Sequence, residues 1–425
     1  MKTLLKNLTV IPVTRDSLSF KADILISGSV IEEIGPGLVC PEADVVRDCT
    51  GLIALPGFVN AHTHLSMTLM RNYKDTCSNL QDWLGEIFPI EDRMTDEDIY
   101  YGSLLGLAEL IKSGTTSFAD MYFHQWMTAR ACRETGMRAF ISQTLFGDLE
   151  ETKKRLSETR LDREIDNELL RKDYAVHAVY TCTKETYEYT AAAARERKAV
   201  VNTHLSETKK EMDDCIRQTG MLPAVYLEKT GFFDVPCYAA HGVWLQEEET
   251  DILRCHDVGI VHNPSSNCKL ASGIAPVSRF RSAGLTVGLG TDGASSNNNL
   301  SMLKEMRLAA MISAVSTMNV GALRPYDIIR MATLDSAKVL KADHLIGSLE
   351  KGKKADITII NPDSANMTPM NDIFSAIVFS ADERNIDSVY VNGKCLFCEG
   401  KLTTIDEDAV IHEALKRWDI LRKEG

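Results

Sequence analysis

Two histidines separated by one residue, in Ala61-His62-Thr63-His64, end an apolar run formed by Leu52, Ile53, Ala54, Leu55, Phe58 and Val59. Side chains one apart on a strand share a face, so both imidazoles aim at one point, as a metal ion requires. Alone the pair is a weak signal. Its weight comes from later apolar runs that end in the same kind of residue. His204 closes Val200-Val201-Asn202-Thr203, His241 closes Tyr238-Ala239-Ala240, and Asp292 follows Val287-Gly288-Leu289-Gly290-Thr291. Each of these taken singly reads as readily as a structural or turn residue. Five of them at the ends of four runs point to one shared site.

His62, His64 and His204 with Asp292 offer three nitrogens and one carboxylate oxygen. That set suits Zn2+, with Fe2+ or another divalent ion as the alternative. With one position left for water the site is catalytic rather than closed, because the metal can lower the pKa of that water to about 7. Two-metal barrels usually bridge their ions through a lysine ending the fourth strand. The fourth run here, Ala175-Val176-His177-Ala178-Val179-Tyr180, carries none, so one divalent metal per subunit is expected.

The elements that must position these residues follow from the hydrophobic pattern. Eight apolar runs (57–60, 115–121, 139–146, 174–180, 199–204, 238–243, 258–262 and 285–292) alternate with helix-period stretches such as Ile99–Lys112 and Lys153–Arg171. Strands alternating with helices pair in parallel, and eight such units close into a (β/α)8 TIM-like barrel with its chemistry at the C-terminal strand ends. His64, Asp120, His177, His204, His241, His262 and Asp292 fall there. The flanks differ, holding short strand runs broken by Gly and Pro: Leu4–Pro12, Ala22–Ser27 and Val30–Ile34, then Ala355–Asn361, Ala376–Phe379 and Ser388–Leu396. The expected organisation is an α/β chain: a small composite β-sandwich from residues 1–56 and 352–405, a barrel over 57–351, and a C-terminal helix within 406–425.

Composition excludes several classes. The 425 residues are 44% hydrophobic and 25% charged with a formal net charge of -13, an ordinary globular balance that disfavours a nucleic-acid polymer as partner. The amino terminus enters strand-like sequence without an apolar leader, and no stretch approaches the roughly 20 apolar residues of a membrane span, so a cytoplasmic location is expected. Eleven irregularly spaced cysteines read as reduced thiols. The CxxC at Cys395–Cys398 has no second pair for a zinc ribbon, and its setting reads as a β-hairpin turning at Asn392-Gly393. Gly288–Gly293 matches GxGxxG, but it would put the Asp292 carboxylate against a pyrophosphate and lies far from any N-terminal βαβ unit. The base-editing zinc deaminases use H-x-E and P-C-x-x-C, and Pro236-Cys237 lacks the second cysteine.

At these residues the sequence resembles the amidohydrolase superfamily, and within it the 5′-methylthioadenosine/S-adenosylhomocysteine deaminases. The matching blocks are 56–64 (PGFVNAHTH), 113–116 (SGTT), 204–208 (HLSET), 240–242 (AHG), 262–273 (HNPSSNCKLASG), 290–293 (GTDG) and 347–352 (GSLEKG) followed by Ala355-Asp356. The resemblance implies His62, His64, His204 and Asp292 as ligands, in agreement with the reading above. It further implies that Asp292 takes a proton from the metal-bound water, that the hydroxide attacks C6 of an adenine ring, and that Glu207 protonates the adjacent ring nitrogen. His241 would position the nucleophile and steady developing charge. Glu91 matches a glutamate that binds ribose hydroxyls, His177 a residue that hydrogen-bonds the purine, and Trp83 a residue packing on the nucleoside. A nucleoside substrate and a homo-oligomer are implied as well.

The chain departs from the family where the segment after the third strand usually carries an arginine toward the amino-acid carboxylate of S-adenosylhomocysteine. Here it reads Ile141-Ser142-Gln143-Thr144-Leu145, and Gln143 cannot make a charge-assisted pair. Arg155, Arg160 or Arg163 are the candidates to compensate. Small or uncharged 5′ groups, as in 5′-methylthioadenosine or 5′-deoxyadenosine, are therefore expected. The alternatives are hydrolysis of another ring (guanine, cytosine or triazine) or a non-catalytic binding protein, although such descendants typically lose ligands that are all present here.

Overall fold

Eight of the apolar runs become eight parallel strands, in a computed structural model that describes residues 1–14, 18–165 and 168–423. Ahead of them come β1 (Lys2–Val10), β2 (Phe20–Ser27), β3 (Val30–Gly35), β4 (Val45–Asp48) and β5 (Ile53–Pro56). The barrel strands are β6 (Phe58–Thr63), β7 (Thr115–Tyr122), β8 (Arg138–Leu145), β9 (Leu170–Val176), β10 (Val201–Leu205), β11 (Cys237–His241), β12 (Gly259–His262) and β13 (Val287–Leu289). They pair in sequence order, each with the next. Both faces are covered, which is why the runs are continuously apolar rather than alternating.

The seam between β6 and β13 decides where Asp292 sits. The fully buried Asn60 accepts from the Thr291 N–H at 3.0 Å and donates to its hydroxyl at 2.7 Å. The Asp292 N–H then donates to the His62 carbonyl at 3.0 Å. The same step needs Gly290, where a Cβ would stand 2.6 Å from Asn263 Oδ1 and 2.8 Å from the His62 carbonyl oxygen. The seam thus ties the His62 strand directly to the Asp292 turn.

The chain ends build one nine-stranded mixed sheet, completed by β14 (Ile357–Ile360), β15 (Ile386–Val391), β16 (Lys394–Cys398) and β17 (Lys401–Leu402). Its two halves meet at β5 and β14, which pair antiparallel. The sheet curls back until Val30 bridges Lys354, enclosing Leu5, Ile24, Ile31, Ala54 and Ile357 in a core of its own. Asn392 and Gly393, both at positive φ, make the expected hairpin turn between β15 and β16.

α1 (Leu80–Glu91), capped by Asn79, lies over the barrel mouth, and α2 (Asp96–Lys112), opened by a Thr95/Asp98 capping box, packs outside β7. A terminal helix, Glu407–Leu421, packs on α2 through buried Val410 and Ala414 and through Arg417, which pairs with Asp98 at 2.7 Å. No helix among the described residues is long and apolar enough to cross a membrane.

Two expectations need correction. The run Ala376–Phe379 is helical, continuing the turn that Asp372 caps, because four apolar residues carry no periodicity that separates strand from helix. The charged stretch Lys153–Arg171 is helical only as part of Leu149–Glu158. It breaks at Thr159, passes one short turn at Leu161–Arg163, and its last residues already belong to β9. Residues 166–167 of that stretch, like 15–17 and 424–425 at the expected flanks, lie outside the described residues.

Replacing Asn60 with Ala leaves the buried Thr291 N–H without its acceptor, at a cost of about 1–3 kcal/mol. Chemical denaturation of Asn60→Ala is expected to show that loss together with weakened metal retention; a wild-type midpoint would remove the seam from its role.

Candidate metal centre and active site

The parallel register brings the polar strand ends together. His62 lies on β6 and His64 just after it, His204 on β10, His241 at the last position of β11, and Asp292 three residues beyond β13. Asp292 Oδ1 stands 3.4 Å from His62 Nε2 and 3.2 Å from His64 Nε2, and His64 Nε2 stands 3.3 Å from His204 Nε2. Ligands bonded at 2.0–2.1 Å to a tetrahedral ion are separated by about 3.3 Å, so these spacings fit zinc-type coordination. His62 Nε2 and Asp292 Oδ1 are buried without a hydrogen-bond partner, as donors aimed at a cation would be. The second nitrogens are engaged: His64 Nδ1 bonds the Met121 carbonyl and His204 Nδ1 the His177 carbonyl at 2.8 Å. That arrangement fixes Nε2 as the free lone pair. A second grouping joins His62 and His204 with His241. His241 Nδ1 is held by Asn267 Oδ1 at 2.8 Å while its Nε2 faces Glu207 at 3.8 Å, so its place is beside the donor set, toward the acid.

Burial sets the electrostatics. It pulls His62 down to about 4 and His177 to about 3, leaving both neutral near pH 7, and it holds His204 well below its ordinary value. Burial also works on His64, but the Asp292 carboxylate outweighs it and raises that imidazole to about 9. Burial opposes ionisation of Asp292 too, yet the adjacent His62 and His64 rings hold it well below the usual carboxylate range. Its other oxygen accepts from Ser266 at 2.6 Å and Ser296 at 2.9 Å, which orients Oδ1 toward the histidines. Glu207, two residues past β10, has its pKa raised by burial and accepts from Ser272 at 3.1 Å.

Three of these turns run through the left-handed region on residues other than glycine: Ser206 at φ 52°, His241 at 75° and Asp292 at 59°. Such conformations cost of order 1–3 kcal/mol each and persist where the surroundings over-determine them.

A cavity of about 550 Å3 opens above the donors and is lined by His64, His204, Glu207, His241 and Asp292 together with Glu91 and Trp83. Phe146 stacks on His177 with ring centroids 4.3 Å apart, forming one wall. Trp83 both lines the cavity and belongs to a small core with Met67, Leu80 and Ile87. Gln143 is not part of this cavity. It lines an adjoining one of about 800 Å3 that shares Glu91, Phe123 and Thr144 with the first, and its amide donates to the Arg155 carbonyl at 3.2 Å. Of the three candidate arginines, Arg155 borders this second cavity, already paired with Glu151 at 2.8 Å, whereas Arg160 pairs with Asp96. Asp120 accepts from the Leu65 N–H at 2.8 Å, and His262 is buried at the end of β12; neither lines the cavity.

Sequence reasoning missed Asn60, Ser266, Asn267, Ser272 and Ser296. Four of them sit inside or just after the quoted blocks at 262–273 and 290–293, but nothing in their type distinguishes a bracket for a ligand from an ordinary turn residue.

The profile of the amidohydrolase family matches residues 53–396. The chain belongs to the amidohydrolase family. This amidohydrolase is 40% identical over 420 residues to a 5-methylthioadenosine/S-adenosylhomocysteine deaminase of Caldicellulosiruptor saccharolyticus, covering 97% of each chain. It is 41% identical over 416 residues to a 5′-deoxyadenosine deaminase of Methanobrevibacter smithii, covering 96% of this chain and 95% of that one. Among solved structures, a zinc-bound adenosine deaminase from Xanthomonas campestris superposes with a TM-score of 0.94 at 28% identity, over 99% of this chain and 98% of that one. The donor set and the family together make this a metal-dependent aminohydrolase holding a divalent ion.

Glu91 supplies a test of the cavity's electrostatics. Burial raises its carboxyl to about 7, against a smaller pull from the Tyr122 hydroxyl. A raised carboxyl stabilises the fold fully below the unfolded value near 4.5, and that contribution is lost as pH rises through 7. Glu91→Gln is therefore expected to gain stability over wild type at pH 8, by a margin of order 2 kcal/mol, with that gain shrinking steadily toward pH 5. Melting curves at both pH values check this; a pH-independent difference would contradict it.

Proposed function

We propose that this amidohydrolase deaminates 5′-modified adenosines, consuming water and releasing the inosine analogue and ammonia, with zinc as its metal. The observation that carries the reading is that Glu91 and the Glu207/His241/donor cluster line one and the same cavity. Glu91 offers a carboxylate for a sugar's hydroxyls, and Glu207 with His241 a proton-transfer site for a ring. The names of the near-full-length relatives support the same substrate class.

A divalent ion held by His62, His64, His204 and Asp292 would supply hydroxide at neutral pH by lowering the pKa of water to about 7. Asp292, oriented by Ser266 and Ser296, holds at Oδ1 the proton that the nucleophile gives up. Glu207, its pKa raised by its dry setting and its side chain fixed by Ser272, donates to the ring nitrogen next to C6, so the ring does not accumulate negative charge. His241, held at Nδ1 by Asn267, turns Nε2 to the reacting face and orients the water. The amino group then leaves as ammonia, protonated through the two carboxyls. His177, neutral and stacked on Phe146, hydrogen-bonds the purine, Trp83 packs on the nucleoside, and Glu91 binds the ribose hydroxyls.

The 5′ group points toward the second cavity. Gln143 brings no charge there, and the Arg155 guanidinium lies over the Phe146 and Phe123 rings, paired with Glu151. Small, uncharged 5′ groups are favoured over an amino-acid tail. Zinc-loaded protein is expected to turn over 5′-methylthioadenosine and 5′-deoxyadenosine at least ~10-fold more efficiently than S-adenosylhomocysteine, the worth of one charge-assisted contact. The loss of adenine absorbance measures this. Glu207→Gln is expected to lose ~10²–10⁴ in kcat. Efficient S-adenosylhomocysteine turnover would overturn the Gln143 argument, and silence on every adenosine would overturn the substrate class.

A further inference from the structure

The sequence Thr208-Lys209-Lys210-Glu211 has the form of a capping box, in which the glutamate three residues into a helix reaches back to the N–H of the cap residue. In the helix Lys209–Thr219 the first half of that arrangement is present, with Thr208 accepting from the Glu211 N–H at 3.2 Å. The second half is displaced. Glu211 passes over its own cap residue, and its two oxygens accept from the preceding amides: Ser206 N–H at 2.7 Å and Glu207 N–H at 2.8 Å. Glu211 is only 2% exposed and both bonds are buried.

The helix Glu247–Cys255 provides the contrast. Glu249 occupies the same third position and is fully buried, but it takes the N–H of its own cap residue Gln246 at 2.9 Å. Its other oxygen takes the Ala224 N–H at 2.9 Å, at the start of a neighbouring helix. The same residue in the same helical position can therefore satisfy a box in the ordinary way, and Glu211 does something else.

What it grips is the bend between His204 and Glu207. Ser206 is the left-handed residue at φ 52°, and it reverses the chain after β10 so that the Glu207 side chain returns to the barrel mouth beside His241. A non-glycine residue is disfavoured in this region, so the bend needs something to hold it. Burial lifts the Glu211 carboxyl to about 8 while the two amides pull it back, and two bonds from consecutive amides to the two oxygens of one side chain are suited to holding the bend. We infer that Glu211 is a positioning residue for catalysis: its carboxylate locks the Ser206 bend and thereby sets where Glu207 delivers its proton. Glu211 does not line the cavity above the donors, so its effect passes through Glu207. The inference rests on the role proposed for Glu207.

The substitution Glu211→Gln keeps shape but turns an amide donor against one of the two N–H groups. Four measurements on zinc-loaded protein test it: zinc content, KM and kcat for 5′-methylthioadenosine, hydrogen exchange of the peptide containing Ser206 to Thr208, and melting temperature. Glu249→Gln is the control for generic loss of a buried clamp. The expected result is unchanged zinc and a KM within about threefold of wild type, with kcat down ~10–100-fold, the effect of a reacting group displaced by a fraction of an ångström to one ångström. Exchange at 206–208 is expected to accelerate in Glu211→Gln alone, whereas Glu249→Gln lowers the melting temperature and leaves kcat at the wild-type value. Unchanged exchange, an equal kcat loss in both variants, or a kcat loss that merely follows lost zinc would overturn the inference. Wild-type protein inactive on every adenosine would instead remove the deaminase reading, and the exchange readout would still decide whether Glu211 holds the bend.

Discussion

Asp292 Oδ1 lies within 3.4 Å of two imidazole nitrogens in a buried site, and no hydrogen-bond donor among the described residues satisfies it. A buried carboxylate is costly by several kcal/mol unless positive charge faces it, and imidazoles crowded beside one another gain little from their own company. The cost is tolerable if a cation completes the group. Much of the surrounding structure serves to keep the donors where that cation needs them. The seam at Asn60 and Gly290 sets the height of Asp292 against His62, two serines turn its carboxylate, and backbone carbonyls hold the far sides of His64 and His204.

The same dryness carries over to the proposed proton donor. Glu207 and Glu91 have raised pKa values for one reason, loss of water, and both line the same cavity. A carboxyl whose pKa is raised by burial is better matched to proton transfer than an exposed one. At Glu91, pushed up to about 7, ionisation costs fold stability. Stability and the role proposed for Glu91 pull in opposite directions, which is common where a site demands buried charge.

The barrel and the donor residues were legible because both rest on one-dimensional signals. Parallel strands buried on two faces read as apolar runs, and residues that end such runs must gather at one rim. The His62/His64 pair, His204, His241 and Asp292 were all placed by that logic. What was not legible depends on partners distant in sequence. Asn60 earns its role from Thr291, Ser272 from Glu207, and Asn267 from His241; each looks like an ordinary small polar residue until the barrel closes. Glu211 was hidden differently, since its local pattern already has a familiar explanation that the structure shows to be only half right. Ala376–Phe379 failed for want of length, four apolar residues being too few to show a period.

X-ray absorption at the zinc edge of the loaded protein tests the central claim most directly, because it reads the ion's ligands without reference to substrate. Three imidazoles and oxygen ligands at about 2.0–2.1 Å, with no sulfur, is the predicted shell, falling to two imidazoles in His204→Ala. A sulfur ligand, fewer than three imidazoles in the wild-type protein, or a spectrum indifferent to His204→Ala would contradict the convergence on which the site is built.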